Sequence, residues 1–352
     1  MKHLQTFAVL ALFLLPFGLQ AKWVFFQNHL HSHSEHTFSR FPHSTDLERS
    51  YDVRGIETLM NLALENNVQA LAITDHNTIA HWFEPMFSKD AEVVLVPAME
   101  WTNMFGGHAT LIGFVANDAK DAIVPMNPRA TVSEDMYQDM VQKTHDRNGF
   151  VIINHPTLMY AWQQWPNHLY GADAIELNFH FFMRPQATLD WWQEKLALDH
   201  KVYLVGGCDY HVGGNFVSPF ESINYIDVLD PAQSKDVVDA LKQGRLIVLR
   251  NASSPKIEFT AYNALGEVYQ MGETVKLNAL QSLMVQVKVH EGEGHTLHLW
   301  TKTGEKQHMK ISSNDFKIFF PYVFQNETDF IRFEIRKNNS LEAVTNPLFV
   351  QR

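Results

Sequence analysis

The sequence predicts an α/β barrel followed by a smaller β-sandwich, and three observations lead to this prediction. Residues 22–250 alternate between short apolar, β-branched runs and amphipathic helical stretches, which is typical of repeated β/α units. Repeated units of this kind over about 230 residues close most readily into a barrel. Residues 253–352 contain only short alternating segments separated by turns, which indicates a β-sandwich.

The elements can be placed in order along the chain. After a first strand over 23–26, apolar runs of four to seven residues predict further barrel strands at 68–74, 93–96, 109–114, 150–153, 174–177, 202–205 and 225–229. Apolar residues at helical spacing predict helices around 56–63, 136–141 and 237–241. Alternating segments at 256–259, 283–289, 297–300 and 330–335 predict the strands of the sandwich.

Size and charge narrow the class of protein. The chain has 352 residues, which exceeds the roughly 100–200 residues of one typical domain. Hydrophobic residues make up 45% and charged residues 19%, as in a folded globular protein. A net charge of −11 without a run of Lys or Arg argues against nucleic acid and against an anionic membrane surface as partners.

Residues 1–21 predict a secretory signal peptide. A short basic start is followed by an apolar stretch over 7–19, and Ala21 offers a small residue before cleavage ahead of Lys22. The alternative is a membrane anchor, but the apolar run is shorter than the ~20 residues that a spanning helix needs. We therefore expect no membrane span after cleavage. The single cysteine, Cys208, excludes an intrachain disulfide, and we expect an exported, periplasmic protein with Cys208 packed in the core.

Residues that can bind metal follow the predicted strands. His31 and His33 lie two positions apart after the first strand, so both side chains leave the same face. In a β/α barrel the functional side chains collect at the carboxyl ends of the strands. Further imidazoles and carboxylates end or open other strands, namely Asp75, His76, Glu100, His108, His155, Asp209 and His211. Their recurrence at one rim predicts a metal site.

These motifs resemble the PHP (polymerase and histidinol phosphatase) superfamily of metal-dependent hydrolases over about residues 27–250. The resemblance is carried, in order, by His31-Ser32-His33, Thr74-Asp75-His76, Pro97-Ala98-Met99-Glu100, His155-Pro156 and Gly206-Gly207-Cys208-Asp209-Tyr210-His211. The segments 107–113 and 240–245, leading into the β-rich tail, are similar to the CehA/McbA, carbaryl-hydrolase-like branch. The resemblance implies a distorted (β/α)7 barrel that holds two or three divalent metal ions.

The resemblance also implies a ligand set for each ion. The first ion would be held by His31, His33, Glu100 and Asp209, and the second by Glu100, His108 and His155. Glu100 would bridge the two ions, because a carboxylate has two oxygens. Ligands of this kind without a thiolate suit Zn²⁺, Mn²⁺ or Fe²⁺.

His76 and His211 would hold a third ion or act directly as catalytic groups. Phe38 stands where relatives with three ions carry an additional acid, and Glu35, His36 or His43 could take its place. We favour a site with two ions. Asp75 is expected to orient a neighbouring imidazole.

The expected activity is hydrolysis by a metal-activated hydroxide, with His76 or His211 donating a proton or binding the substrate. The favoured substrate is a small phosphate ester, for which Arg40, Arg54 and Arg184 are candidate ligands. The segment 179–184 could wall a substrate pocket or simply pack in the core. Two alternatives remain open: carbamate, ester or amide hydrolysis at the same site, and a secreted protein that only binds a metal or a carbohydrate.

The histidines of the β-rich tail have no evident role in this scheme. His290, His295, His298 and His308 lie on or near alternating strands without paired carboxylates in the sequence, and we expect them to be surface residues. The sequence makes no prediction about the oligomeric state.

Overall fold

The computed structural model describes residues 22–33, 51–85, 92–102, 107–114, 133–158, 169, 171–214, 217–228, 233–278, 282–324 and 326–351. The predicted signal peptide over 1–21 lies outside these residues. So do Glu35, His36, Phe38, Arg40 and His43, on which the prediction about a third ion depends.

Strands dominate the described chain. The first part contains β1 (Lys22–His31), β2 (Ala70–Ile73), β3 (Val94–Val96), β4 (Ala98–Trp101), β5 (Ala109–Ile112), β6 (Phe150–Ile153), β7 (Ala174–Leu177), β8 (Tyr203–Gly206), β9 (Tyr210–His211), β10 (Ile223–Val228) and β11 (Leu246–Leu249). The second part contains β12 (Lys256–Tyr262), β13 (Val268–Gln270), β14 (Thr274–Lys276), β15 (Ser282–His290), β16 (Thr296–Thr301), β17 (Gly304–Lys310), β18 (Asp315–Val323), β19 (Thr328–Lys337), β20 (Ser340–Thr345) and β21 (Leu348–Gln351).

Four α-helices lie in the described residues, all before the β-rich second part: α1 (Val53–Glu65), α2 (Glu134–Asp146), α3 (Pro185–Ala197) and α4 (Ser234–Lys242). Two begin with side-chain caps: Asp52 accepts a hydrogen bond from the backbone of Arg54, and Ser133 from that of Met136. Within the described residues, no helix is long and apolar enough to cross a membrane.

The predicted (β/α)7 barrel is wrong. The described residues form 21 strands but only four α-helices, and the strands belong to three sheets of mixed direction. β1 pairs antiparallel with β10, and β5 pairs antiparallel with both β4 and β6, so regular β/α alternation is absent. The predicted apolar runs do become strands, but a buried run of four residues has the same pattern in parallel and antiparallel pairing. The error therefore lies in the direction and connection of the strands.

The three sheets have distinct compositions. The largest has twelve strands, with the path β14-β21-β19-β20-β11-β10-β1-β2-β3 and with β9, β16 and β17 attached beside it. A second sheet has the order β4-β5-β6-β7-β8, and a third has the order β13-β12-β15-β18. The third sheet packs on the C-terminal strands of the largest sheet, where Phe259 and Phe333 place their ring centroids 5.0 Å apart.

Several contacts join the largest sheet to the five-stranded sheet, and two of them lie beside the predicted site. An isolated bridge pairs His76, after β2, with Glu100 of β4. The buried Asn224 side chain of β10 accepts a hydrogen bond from Gly206 N and donates to Gly206 O and Phe26 O. These contacts place the ends of β1, β2, β4 and β8 beside one another.

The largest sheet continues through the boundary at 250–253 that the sequence suggested. β11 pairs antiparallel with β20 through Ile247–Leu249 and Ala343–Thr345. Asn346 also accepts from Leu204 N and donates to Leu204 O of β8. The β-rich second part thus shares backbone hydrogen bonds with the part that carries the predicted site.

Candidate metal centre

Histidines and carboxylates from the ends of six strands meet in the interior of the first part of the chain. All eight predicted site residues are there: His31, His33, His76, Glu100, His108, His155, Asp209 and His211. They come from β1, β2, β4, β5, β6 and the segment after β8. We call these residues, together with His29, the buried centre.

Glu100 lies at the middle of the buried centre and is 1% exposed. Its Oε1 atom lies 3.3 Å from His29 Nε2, 3.2 Å from His108 Nδ1 and 3.3 Å from His155 Nε2. Asn154 Nδ2 donates a hydrogen bond of 3.0 Å to the same oxygen. One carboxylate oxygen therefore faces three imidazoles.

The second oxygen of Glu100 faces a different group of side chains. Oε2 lies 2.8 Å from His76 Nδ1 and 3.7 Å from His31 Nε2, and it accepts a hydrogen bond of 2.9 Å from Thr102 Oγ1. Burial alone would raise the pKa of Glu100, but His108 and His29 hold it well below its usual range. An ionised carboxylate with one oxygen toward each group has the geometry of a bridging ligand.

His31 is surrounded by other imidazoles. Its ring stacks on that of His211 with centroids 4.1 Å apart, and the His76 ring is 4.4 Å away. Burial, followed by the proximity of His211 and His76, lowers the pKa of His31 well below its ordinary value. Neither of its ring nitrogens makes a hydrogen bond to the described part of the chain. A neutral, buried imidazole with an unused lone pair is what a metal ligand requires.

Asp209 closes the side of the centre next to β1. Its Oδ1 atom lies 3.4 Å from His29 Nε2, 3.3 Å from His31 Nε2 and 3.8 Å from His211 Nδ1. Burial opposes ionisation, but the neighbouring imidazoles of His29 and His31 hold the pKa of Asp209 below its usual value. Asp209 is therefore a charged oxygen ligand candidate.

Backbone strain occurs at two of the strand ends that supply these side chains. His155 has a φ of 29° and Asp209 a φ of 55°, both in the region that favours glycine. Such conformations cost on the order of 1–3 kcal/mol each and persist where the surroundings impose them. Here they turn the two side chains into the buried centre.

Asp75 lies at the edge of the buried centre, where it contacts Ser32, His33 and His31. It accepts two hydrogen bonds of 2.8 Å from Ser32, one from the backbone N and one from Oγ. His33 Nε2 lies 3.4 Å from Asp75 Oδ1, and His31 Nδ1 lies 4.0 Å from it. His33 thus converges with His31 and Asp75, rather than lying against Glu100 as His76 does.

Sequence reasoning missed His29 and Glu176. His29 Nδ1 lies 2.7 Å from Glu176 Oε1, and Glu176 Oε2 accepts a hydrogen bond of 2.7 Å from the backbone N of His155. Burial would lower the pKa of His29, but Glu176, Glu100 and Asp209 raise it well above its ordinary value. His29 precedes His31 by two positions on the same strand, so strand alternation could have identified it.

Glycine at position 207 makes room for Glu176. A Cβ atom there would lie 1.9 Å from Glu176 Oε1 and 3.0 Å from His29 Cβ. The adjacent Cys208 is fully buried in the core, with Sγ 3.4 Å from His29 O, and burial raises the pKa of its thiol. The Gly-Gly-Cys-Asp segment therefore serves the site through its backbone as well as through Asp209.

The donor set fits a metal ion. Three groups of the buried centre each offer ligand atoms within 4.8 Å of one another, namely His29-His31-Glu100, His31-His76-His211 and Glu100-His108-His155. All are nitrogen or carboxylate oxygen donors, which suit borderline and hard divalent ions. Imidazoles packed this closely cannot all carry a proton charge, because like charges in a buried site repel strongly. These buried groups can hold a metal ion.

Comparisons with known proteins add no family. No protein-family model matches the chain, and no curated protein matches it. A solved crystal structure of an engineered protein is similar at 10% sequence identity and a TM-score of 0.20, covering 81% of this chain. The chain spans about half the length of that engineered protein, 50%. A TM-score this low supports no conclusion about fold or activity.

Proposed function

We propose that this protein is a metal-dependent hydrolase whose buried centre holds two divalent ions, Zn²⁺, Mn²⁺ or Fe²⁺. The proposal rests on the two carboxylate oxygens of Glu100, each of which faces a different set of imidazoles. A single ion would need only one of these sets. The resemblance of the ordered motifs to the PHP superfamily supports the same reading.

The ligand sets follow from the two oxygens of Glu100. His108, His155 and His29 face Oε1, and His76 and His31 face Oε2. Asp209 adds a charged oxygen next to His29 and His31. Glu176 orients His29 from behind through its hydrogen bond to Nδ1, and Asp75 lies 3.4 Å from His33 Nε2, so both carboxylates favour one orientation of a neighbouring imidazole.

Divalent ions bound there would lower the pKa of a coordinated water toward neutrality and stabilise negative charge that develops on the substrate. The protein contributes a dry, rigid pocket, since His29, His31 and Glu100 are at most 1% exposed. His76 and His211 face the same space and lie nearer the solvent, with side chains 15% and 4% exposed. Because His76 already serves as a ligand on the Oε2 side of Glu100, we assign to His211 the transfer of a proton to the leaving group or the binding of a substrate oxygen, roles that an imidazole can perform.

Phosphate esters are the proposed substrate class. The candidate ligands for such a substrate among the described residues are Arg54 and Arg184, both exposed at the amino ends of α1 and α3. Carbamates, esters or amides with an aromatic group form the second candidate class. It is favoured by Phe181 and Phe182, which are 69% and 59% exposed in a 3₁₀-helix between β7 and α3. That helix is joined to the segment after His155, because Thr157 Oγ1 donates to Met183 O.

The deciding experiment measures metal content and turnover together on the purified full chain. p-Nitrophenyl phosphate, bis-p-nitrophenyl phosphate and a naphthyl carbamate separate monoesterase, diesterase and carbamate hydrolase activity. The proposal predicts that the metal-loaded protein hydrolyses a phosphate ester and that removal of the metal by a chelator abolishes this activity reversibly. Bound metal with no turnover of any substrate would instead identify a metal-binding protein without catalysis.

We also propose export to the periplasm with cleavage ahead of Lys22. β1 begins at Lys22, which pairs with Val228 of β10, so cleavage at this position leaves the strand complete. N-terminal sequencing of the protein from a periplasmic extract should begin at Lys22. A mature protein that retains residues 1–21 would contradict this proposal.

A further inference from the structure

A second cluster of metal-binding side chains lies on the hairpin formed by β16 and β17, outside the buried centre. It consists of His298, Glu305 and His308, which we call the hairpin cluster. The sequence suggested that these histidines lack a paired carboxylate, but Glu305 contacts both of them. The pairing was not visible in the sequence because it depends on the register of the hairpin.

The register of the two strands creates the cluster. His298 and His308 are direct cross-strand partners, so their side chains leave the same face of the sheet. The register shifts between Leu299 and Trp300, and this irregularity places Glu305 opposite Trp300. The carboxylate of Glu305 thereby comes next to the two imidazoles.

The ligand atoms have the spacing of a metal site. His298 Nδ1 and His308 Nδ1 lie 3.1 Å and 2.9 Å from Glu305 Oε1, and the ring centroids are 5.4 Å apart. In a tetrahedral zinc site with bonds of about 2.0–2.1 Å, neighbouring ligand atoms lie about 3.3 Å apart. Both distances to Glu305 Oε1 need to increase by only a few tenths of an ångström to admit an ion, and all three ligand atoms lie within 4.8 Å of one another.

The scaffold holds the ligands in place. The His298 side chain is 13% exposed and that of Glu305 is 35% exposed, whereas that of His308 is 66% exposed. The cluster is thus anchored on its inner side and open to solvent on its outer side. Ligands on paired strands are positioned more accurately than ligands on loops.

We propose that the hairpin cluster is a zinc site, with His298, Glu305 and His308 as ligands and solvent in the remaining position. Two imidazoles and one carboxylate suit Zn²⁺ better than Mg²⁺ or Ca²⁺, which prefer oxygen ligands. Among the described strands, β17 pairs only with β16 and forms an edge of the largest sheet. Zinc at the cluster links this edge strand to its neighbour through side chains and stabilises the hairpin.

The test compares zinc binding by the wild-type full chain with binding by Glu305→Gln and His308→Ala. A competition titration against a chromophoric zinc indicator, monitored in the metal-loaded protein, counts sites beyond the buried centre. The wild type should bind one zinc ion more than either variant, or bind that ion about tenfold or more tightly. Zinc should also slow amide hydrogen exchange in 304–310 of the wild type but not of the variants.

The matched control is His290→Ala, which removes a histidine that also pairs with a carboxylate, Asp315, on the neighbouring sheet. This variant should retain the additional zinc ion and the protection of residues 304–310. Equal zinc stoichiometry and affinity in the wild type, Glu305→Gln and His308→Ala would overturn the proposal. None of these substitutions touches the buried centre, so the result is independent of the proposed hydrolase activity.

Discussion

At the scale of single residues, the proposed metal centre depends most on Glu100. Replacing it by Gln keeps the shape of the side chain but removes the charge that faces the two groups of imidazoles. We expect Glu100→Gln to lose bound metal and to reduce kcat/KM by about 100-fold or more, since removal of even supporting groups around a metal costs 10–100-fold. Metal analysis and hydrolysis assays measure both effects.

The control for this variant is Glu57→Gln, which changes an exposed carboxylate on α1. Glu57→Gln should retain wild-type metal content and activity. A fully active, metal-loaded Glu100→Gln protein would remove Glu100 from the site.

The second prediction at this scale concerns Gly207. A Cβ atom at this position would collide with Glu176 Oε1 at 1.9 Å and displace the carboxylate that orients His29. We expect Gly207→Ala to weaken metal binding by about 10–100-fold and to destabilise the fold by about 1–3 kcal/mol. Equilibrium dialysis and urea unfolding measure these two quantities.

Gly266→Ala serves as the comparison for Gly207→Ala. Gly266 has a φ of +80° but no atom within 4 Å of an added Cβ. Its substitution should reduce stability through the backbone alone and leave metal affinity unchanged. If Gly207→Ala also bound metal normally, Glu176 would have no part in positioning the centre.

At the scale of elements, α3 is attached to the β-rich part by one buried ionic group. The guanidinium of Arg332 on β19 lies between the rings of Trp192 and Trp300, 4.8 Å from each centroid. It donates to Glu334 Oε1 at 2.6 Å and to Gln193 Oε1 at 2.9 Å. Burial lowers the pKa of Arg332, and Glu334 opposes this shift.

This arrangement predicts a large effect from the loss of one charge. Glu334→Gln leaves Arg332 buried with less compensation and should lower the free energy of unfolding by about 3–5 kcal/mol. Glu342→Gln removes the partner of the more exposed Arg250 and should cost about 1 kcal/mol or less. Urea denaturation compares the two variants, and equal effects would contradict the structural role of Arg332.

The positions of several strands could be predicted from the sequence, but their pairing could not. The apolar runs at 150–153 and 174–177 coincide with β6 and β7, because four buried residues in a row form a recognisable strand. The strand β4 was not separated from β3, since only Pro97 stands between them. The run 109–114 was predicted as a strand and becomes β5, but its antiparallel pairing with β4 was not predictable, for the same reason that the barrel prediction was wrong. The residues in a short buried strand do not encode its direction.

The sequence identified more of the candidate site residues than of the connections between strands. His31, Glu100 and Asp209 stand at strand ends, and their chemistry is independent of how the strands connect. Glu176 was missed because its partner His29 is 147 residues away in the chain. The hairpin cluster was missed because the register shift between Leu299 and Trp300 decides where Glu305 lies.

At the scale of the whole molecule, the first part of the chain depends on the β-rich second part. β11 uses β20 as a hydrogen-bonded neighbour, and Tyr203 Oη donates to Gly272 O at 3.1 Å. Asn346 satisfies the backbone of Leu204 in β8, two residues before this strand ends at Gly206 and the segment that carries Asp209 begins. Removing the second part would expose these backbone groups and the apolar faces of β8 and β11.

We therefore expect a chain shortened to residues 22–252 to lose its metal centre along with its stability. Circular dichroism, solubility and metal content of this fragment should all differ from those of the full chain. A soluble 22–252 fragment that binds metal with wild-type affinity would instead establish an independent first domain.

The most direct test of the central claim is an anomalous-difference map from crystals of the metal-loaded protein, recorded at the absorption edge of the bound metal. We expect two peaks on either side of the Glu100 carboxylate, one near His108 and His155 and the other near His31 and His76. A map in which the loaded protein has no peak within bonding distance of Glu100 would contradict this claim.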